Sequence, residues 1–326
     1  MSIKNNTEMQ NLGYFDQAKN GKNSWWRYVL GIIILIVFAQ FIGSIPFIFL
    51  LVYHASVNNV NFDIDSEQLL EQVYTAYPIL SNILLNVTFI FSFVAIWLAI
   101  KLLHKRNFIT LITPAKKINF KKIMKASLVW MVFMVFSNCI AYLISLNNPE
   151  IKYEFNIGFF SNGWGIVFIF FSIFLTFFQT TFEELFFRGY LAQWISLKFS
   201  KLVTLIFTSL IFGSLHLFNP ENSFGIWLSI SYFLSGVFLA GLVWIDDSLE
   251  AAIGVHWANN WFFVAILSST NSVLPVTGVI KMTLNSNYKY EFVPFLIDTI
   301  LILVMLFGFW YLKSKKQISK LNSVKF

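Results

Sequence analysis

Long uninterrupted apolar runs constrain this chain more than any other feature. Several exceed the ~18–20 apolar residues that carry a helix across a ~30 Å hydrocarbon layer, and none alternates every second residue as a barrel strand would. Backbone in lipid must satisfy its own hydrogen bonds, so the runs are expected to be helical. Composition agrees, because 57% of the 326 residues are hydrophobic and only 12% are charged, with a mean hydropathy of +0.68. The expected fold class is all-α, a polytopic membrane helical bundle of about eight transmembrane helices. These lie near 29–52, 79–103, 124–146, 163–183, 202–218, 225–245, 249–268 and 292–312.

The net charge of +7 is spread over alternate connections rather than gathered in one patch, which speaks for topology and against a nucleic-acid partner. Lys19, Lys22 and Arg27 precede the first run, and Lys101, Lys105, Arg106, Lys116, Lys117, Lys121 and Lys122 fill the second connection. Lys198 and Lys201 occupy the fourth, and Lys313, Lys315, Lys316 and Lys320 follow the last run. The positive-inside rule puts all of these, and hence both termini, on the cytoplasmic side of the cell membrane. The connection 53–78 holds Asp63, Asp65, Glu67 and Glu71 with no Lys or Arg, which suits the outer side, where Lys152, Lys281 and Lys289 form a minority. Trp25, Trp26, Trp164 and Trp244 fall near span ends, as belt aromatics do.

The domain organisation expected is a polar cytoplasmic tail, 1–24, that is mobile, one integral membrane domain, 25–313, and a basic cytoplasmic tail, 314–326. The first run begins late, is too long for a signal-peptide core and has no small-residue cleavage signature, so it is read as a retained anchor. A single cysteine, Cys139, excludes an intrachain disulfide and a four-cysteine metal site. The ending "SVKF" has no cysteine four from the end, so the chain is not itself expected to be prenylated.

Ionisable residues inside apolar runs are costly and point to function. His54 and His104 fall at span ends, where a solvated interfacial role is expected, and Asp298 stands alone in the last run with a bland role. Glu183, Glu184, Arg188, His216 and His256 lie deeper. Glu184 and Arg188 are four apart on one helical face and can pair, whereas Glu183 points about 100° away and is left available as a proton acceptor. Phe212 shares a face with His216, and His256 with Asn260. Two imidazoles, a free carboxylate and an amide can converge as a base, a water-positioning partner and donors to an oxyanion. The residues alone equally fit a polar clamp between helices.

In order along the chain, "EELFFRG", "FGSLH" and "HWANN" resemble the EExxxR, FxxxH and HxxxN motifs of the type II CAAX prenyl endopeptidases, also called the CPBP or Abi family of intramembrane proteases. The protease motif core would cover 160–265. The resemblance implies catalytic Glu183, His216, His256 and Asn260. Glu183 and His216 would activate a water, and His256 with Asn260 would stabilise the oxyanion. Glu184, Arg188 and Phe212 would shape the site. An intramembrane endopeptidase is therefore expected, acting on a peptide or membrane-protein substrate, prenylated or CAAX-like, within membrane lipid.

No cofactor is favoured, since there is no H-E-x-x-H helix; a zinc alternative would use Glu183, His216 and His256. Two rival readings come from other classes. One is a non-catalytic bacteriocin-immunity or scaffolding protein of the same fold, and the other a proton-coupled transporter, although no internal repeat supports the latter. The Ile, Phe, Lys and Asn richness fits a bacterial source. One conflict stands: with a span ending at 183, Glu183 sits at the membrane surface while His216 would be ~20 Å deeper, unless the fourth span starts later or tilts with helix continuing past Arg188, or the fifth does not begin at the surface.

Overall fold

The computed structural model describes residues 12–60, 66–161 and 163–323, with side chains through Lys315. Asp63, Asp65 and the first eleven residues of the expected tail lie outside them. The helices in chain order are α1 (Trp25–Val57), α2 (Ser66–Ala76), α3 (Pro78–His104), α4 (Phe120–Ser145), α5 (Trp164–Ile195), α6 (Lys201–Leu215), α7 (Ile226–Asp246), α8 (Glu250–Trp261) and α9 (Phe292–Ser323). A multi-pass, all-α membrane bundle is the result.

Among the described residues six of these helices are long and apolar enough to span, namely α1, α3, α4, α5, α7 and the Phe292–Lys315 part of α9. The other two expected spans, 202–218 and 249–268, are the shorter α6 and α8. Pro220 and its neighbours stop α6 early, and the Asn222 amide donates to the His216 carbonyl at 2.6 Å, capping the helix end. α8 widens into a π turn over Phe262–Ile266 and then becomes extended at Leu267.

The chain still runs back and forth, and both ends of the bundle are tied. At the end rich in Lys, Lys122 Nζ of α4 reaches Asp246 of α7 at 2.9 Å and Glu250 of α8 at 2.6 Å, and Lys313 of α9 lies 3.8 Å from Asp246. At the opposite end a small sheet runs in the order β1 (Ile151–Phe155), β3 (Ile280–Leu284), β2 (Leu267–Ser269). β3 pairs antiparallel to β1, with Ile151 opposite Leu284, and parallel to β2, with Leu267 opposite Ile280. The sequence reading contained no strand here, although "IKYEF" and "IKMTL" both alternate apolar and polar residues.

Three expectations about polar residues are corrected by the structure. The tail 1–24 was expected to be mobile, yet Tyr14–Asn20 forms a docked 3₁₀ helix with Tyr14 and Ala18 fully buried. Its few large apolar side chains insert beneath α5, and that burial outweighs the polar average of the segment. His54 and His104 are buried instead of solvated. His104 Nδ1 meets the Lys22 carbonyl at 2.8 Å and Nε2 the Tyr190 hydroxyl at 2.9 Å, while His54 Nδ1 meets the Asn58 amide at 3.2 Å. Asp298 is not alone, since the Tyr290 hydroxyl donates to it.

The core gathers around α5 and α8. α5 buries 44% of its most apolar window, against 17% for α1 and α4 and 6% for α9, so the outer helices meet lipid and the motif helix meets protein. α8 packs closely on α4 at Gly254, where a Cβ would collide with the Ile123 carbonyl; Ser127 Oγ donates to the Gly254 carbonyl at 2.9 Å.

Candidate active site

α5 and α6 are joined by the short turn 196–200, and Phe187 and Arg188 of α5 meet Phe212 of α6. α5 does not end at 183 but continues through a π turn over Leu185–Leu191 to Ile195. Glu183 therefore lies twelve residues, ~18 Å, from the shared turn. His216 follows the fifteen residues of α6, ~22 Å from the same turn. The conflict in depth disappears, because both groups sit at a similar level within the bundle.

A chain of charge-assisted contacts crosses from α5 to α8. Arg188 Nη1 donates to Glu184 Oε1 at 2.9 Å, one helical turn apart, with the two side chains 1% and 0% exposed. The same oxygen accepts from His256 Nδ1 at 2.8 Å. Arg188 Nη2 donates to the Gly236 carbonyl of α7 at 3.2 Å, and its guanidinium carbon lies 4.4 Å from the Phe212 ring centre. With Nδ1 spent on Glu184, His256 turns Nε2 toward Glu183, whose Oε2 is 3.7 Å away. That separation is too long for a direct hydrogen bond and short enough for one water to touch both atoms. Glu183 keeps 14% of its side chain exposed.

His216 also packs on Phe212. The Phe212 ring centre is 4.4 Å from that of His216 and 6.2 Å from that of His256, so both imidazoles lie against one buried phenyl. His216 stacks on Tyr232 of α7 at 4.8 Å and 23°. Its Nδ1 donates to the Phe212 carbonyl at 2.8 Å, which leaves Nε2 with a free lone pair. No hydrogen bond or ion pair joins His216 to Glu183 among the described residues. Asn260 lies one turn beyond His256, and its Oδ1 accepts from Asn259 Nδ2 at 3.2 Å.

Arg188, Glu184 and His256 are thus joined by hydrogen bonds with Glu183 3.7 Å from His256, whereas His216 joins them through Phe212 and Asn260 through its place on α8. Two contacts had no signal in the sequence. The bond from Glu184 to His256 joins residues 72 apart, and Tyr232 belongs to no motif. The zinc alternative fits poorly. Among the described residues no group of three or more His, Cys, Asp or Glu side chains is disposed to hold a metal ion, Glu183, His216 and His256 included.

A model of the family described as type II CAAX prenyl endopeptidase Rce1-like matches residues 164–262, which contain all three motifs. The uncharacterized protein YyaK of Bacillus subtilis (strain 168) is 31% identical over 267 residues, covering 79% of this chain and 83% of that protein. The chain belongs to the type II CAAX prenyl endopeptidase Rce1-like family. No solved structure matches it. Membership suggests a protease at the level of the family, and the relative in Bacillus subtilis, whose match reaches well beyond the motif core, carries no described activity of its own.

Proposed function

We propose that this protein is an intramembrane endopeptidase that hydrolyses peptide bonds of membrane-associated or prenylated, CAAX-like substrates with an activated water. The observation that carries this reading is the chain from Arg188 through Glu184 to His256, which leaves Glu183 without a cation partner on its own helix and 3.7 Å from His256 Nε2. A clamp alone would need only the Arg188–Glu184 pair. It would not need a second, partly exposed carboxylate facing an oriented imidazole.

In the proposed reaction the water oxygen attacks the scissile carbonyl carbon while Glu183 accepts its proton and His216 Nε2 holds the water. The carbonyl oxygen becomes an oxyanion. Asn260 faces it with its amide nitrogen, since its oxygen is already occupied by Asn259. His256 also faces it through Nε2, a donor role that requires a proton on both ring nitrogens. The tetrahedral intermediate then collapses, the C–N bond breaks, and Glu183 returns the proton to the departing amine. No serine or cysteine nucleophile and no metal enters these steps.

The lysine-rich end of the bundle is assigned to the cytoplasm, with both termini there and lipid around the outer helices. The test is purified protein in lipid vesicles, wild type against Glu183→Gln, presented with a prenylated CAAX-type peptide and with membrane peptides from cells lacking the gene. Cleavage should fall by at least ~100-fold in the variant with folding intact. Unchanged biological activity in Glu183→Gln would instead favour a binding or immunity role.

A further inference from the structure

The N-terminal segment ahead of α1 reaches directly under the motif helix. Tyr14 is fully buried, and its hydroxyl lies 2.7 Å from the Leu111 carbonyl and 3.1 Å from the Arg188 carbonyl. The second contact has a backbone cause. In an α-helix the Arg188 carbonyl would accept from the Ala192 N–H, but in the π turn that N–H goes to the Phe187 and Gly189 carbonyls. The passed-over carbonyl belongs to the residue whose side chain holds Glu184. Around it the segment is fixed at several points: the Tyr14 N–H donates to Asp247 at 2.9 Å, Gln193 Nε2 donates to the Tyr14 carbonyl at 3.2 Å, and Ser196 Oγ donates to the Phe15 carbonyl at 2.8 Å. Burial raises the Tyr14 phenol well above its usual range, so it remains a donor at any working pH.

We propose that Tyr14 is a positioning residue for the peptidase reaction, and that its hydroxyl stabilises the π turn which sets the rotation of Glu183 and Glu184 relative to His256. The phenol does not touch the reacting atoms. It acts through the Arg188 backbone, one helical turn beyond the paired glutamates. A small rotation there would move Glu183 away from its 3.7 Å approach to His256, and catalysis is sensitive to displacements of this size.

The kinetic part of this inference rests on the proposed peptidase function, so the experiment has two arms that fail independently. In the first, Tyr14→Phe, which removes one oxygen and keeps the ring, is assayed beside wild type in vesicles. The turnover number should fall roughly tenfold with KM unchanged. In the second, hydrogen exchange of the amides over 185–192 is compared between the two proteins, which needs no activity; exchange should rise there and stay level in α7. Faster exchange in Tyr14→Phe, found together with a wild-type protein that has no peptidase activity, would sink the proposed function and leave the mechanical role of Tyr14 standing. Exchange and turnover both at the wild-type level, or a lower melting temperature with turnover per folded molecule preserved, would overturn the positioning role. Should Tyr14→Phe fold poorly, Phe15→Leu provides a control for general loosening of the segment and should leave turnover within about twofold.

Discussion

The two imidazoles that pack on Phe212 sit in different surroundings. On the α8 side Glu184 and Arg188 are sealed at 0% and 1% exposure, with His256 bonded to the same glutamate oxygen. On the α6 side His216 is half-buried at a helix end, stacked on Tyr232, with one ring nitrogen tied to its own helix. A sealed charge in lipid must have its partner built in, because neither water nor hydrocarbon can supply one. A half-open imidazole can exchange protons with solvent and admit a substrate. In the proposed reaction the sealed side orients, and the open side handles water.

If that division is right, cutting the sealed side should damage the fold first. Arg188→Met leaves Glu184 buried without its cation, and Glu184 Oε2 already lacks a partner among the described residues. Losing one member of a buried pair typically costs ~3–5 kcal/mol. Thermal unfolding in detergent should drop accordingly, and the double variant Glu184→Gln/Arg188→Met should recover part of the loss. A double variant as unstable as the single one would show that Arg188 stabilises through Phe212 and Gly236 rather than through charge.

The open side should give the opposite pattern. His216→Asn removes the ring that stacks on Tyr232 but leaves no charge stranded, so stability should stay within ~1 kcal/mol of wild type. Peptidase turnover should nonetheless fall ~100-fold or more, as expected for a residue that holds the attacking water while Glu183 takes its proton. Unfolding as severe as that of Arg188→Met would erase the distinction between the two sides.

Most of the bundle was legible because hydropathy reports what lipid demands, and the Glu184–Arg188 pair because a four-residue spacing fixes a helical face. Where local pattern and tertiary packing diverge, legibility ended. The lengths of α6 and α8 were overestimated because apolar residues continue past the points where Pro220 and the π turn at Phe262–Ile266 end the helix. Helix continuing past Arg188 was one of the alternatives the sequence left open, because Arg188, Tyr190 and Gln193 look like the edge of a membrane span, yet each is buried against protein. Tyr14 was lost in a polar tail because hydropathy averages over a window and a single docked phenol does not move the average. Contacts between distant positions, such as Glu184 with His256 or Tyr14 with Arg188, have no periodicity to read.

The smallest effect expected probes how open the α6 side is. Glu221 sits in the turn after α6 with its Oε2 buried and without a hydrogen-bond partner among the described residues, and it interacts electrostatically with Tyr232, the stacking partner of His216. Burial raises its carboxyl above the usual carboxylate range, and nearby hydrogen-bond donors only partly oppose the shift. The folded state then binds this proton more readily than the unfolded chain does. Stability is consequently lost as pH rises from the usual carboxylate value through the raised one, and is recovered on acidification. Glu221→Gln keeps the size of the side chain and has no charge to desolvate. Its melting temperature should match wild type at acid pH and exceed it modestly near neutrality. A difference independent of pH would mean that Glu221 is already solvated when ionised, and that water reaches farther toward Tyr232 and His216 than its burial implies.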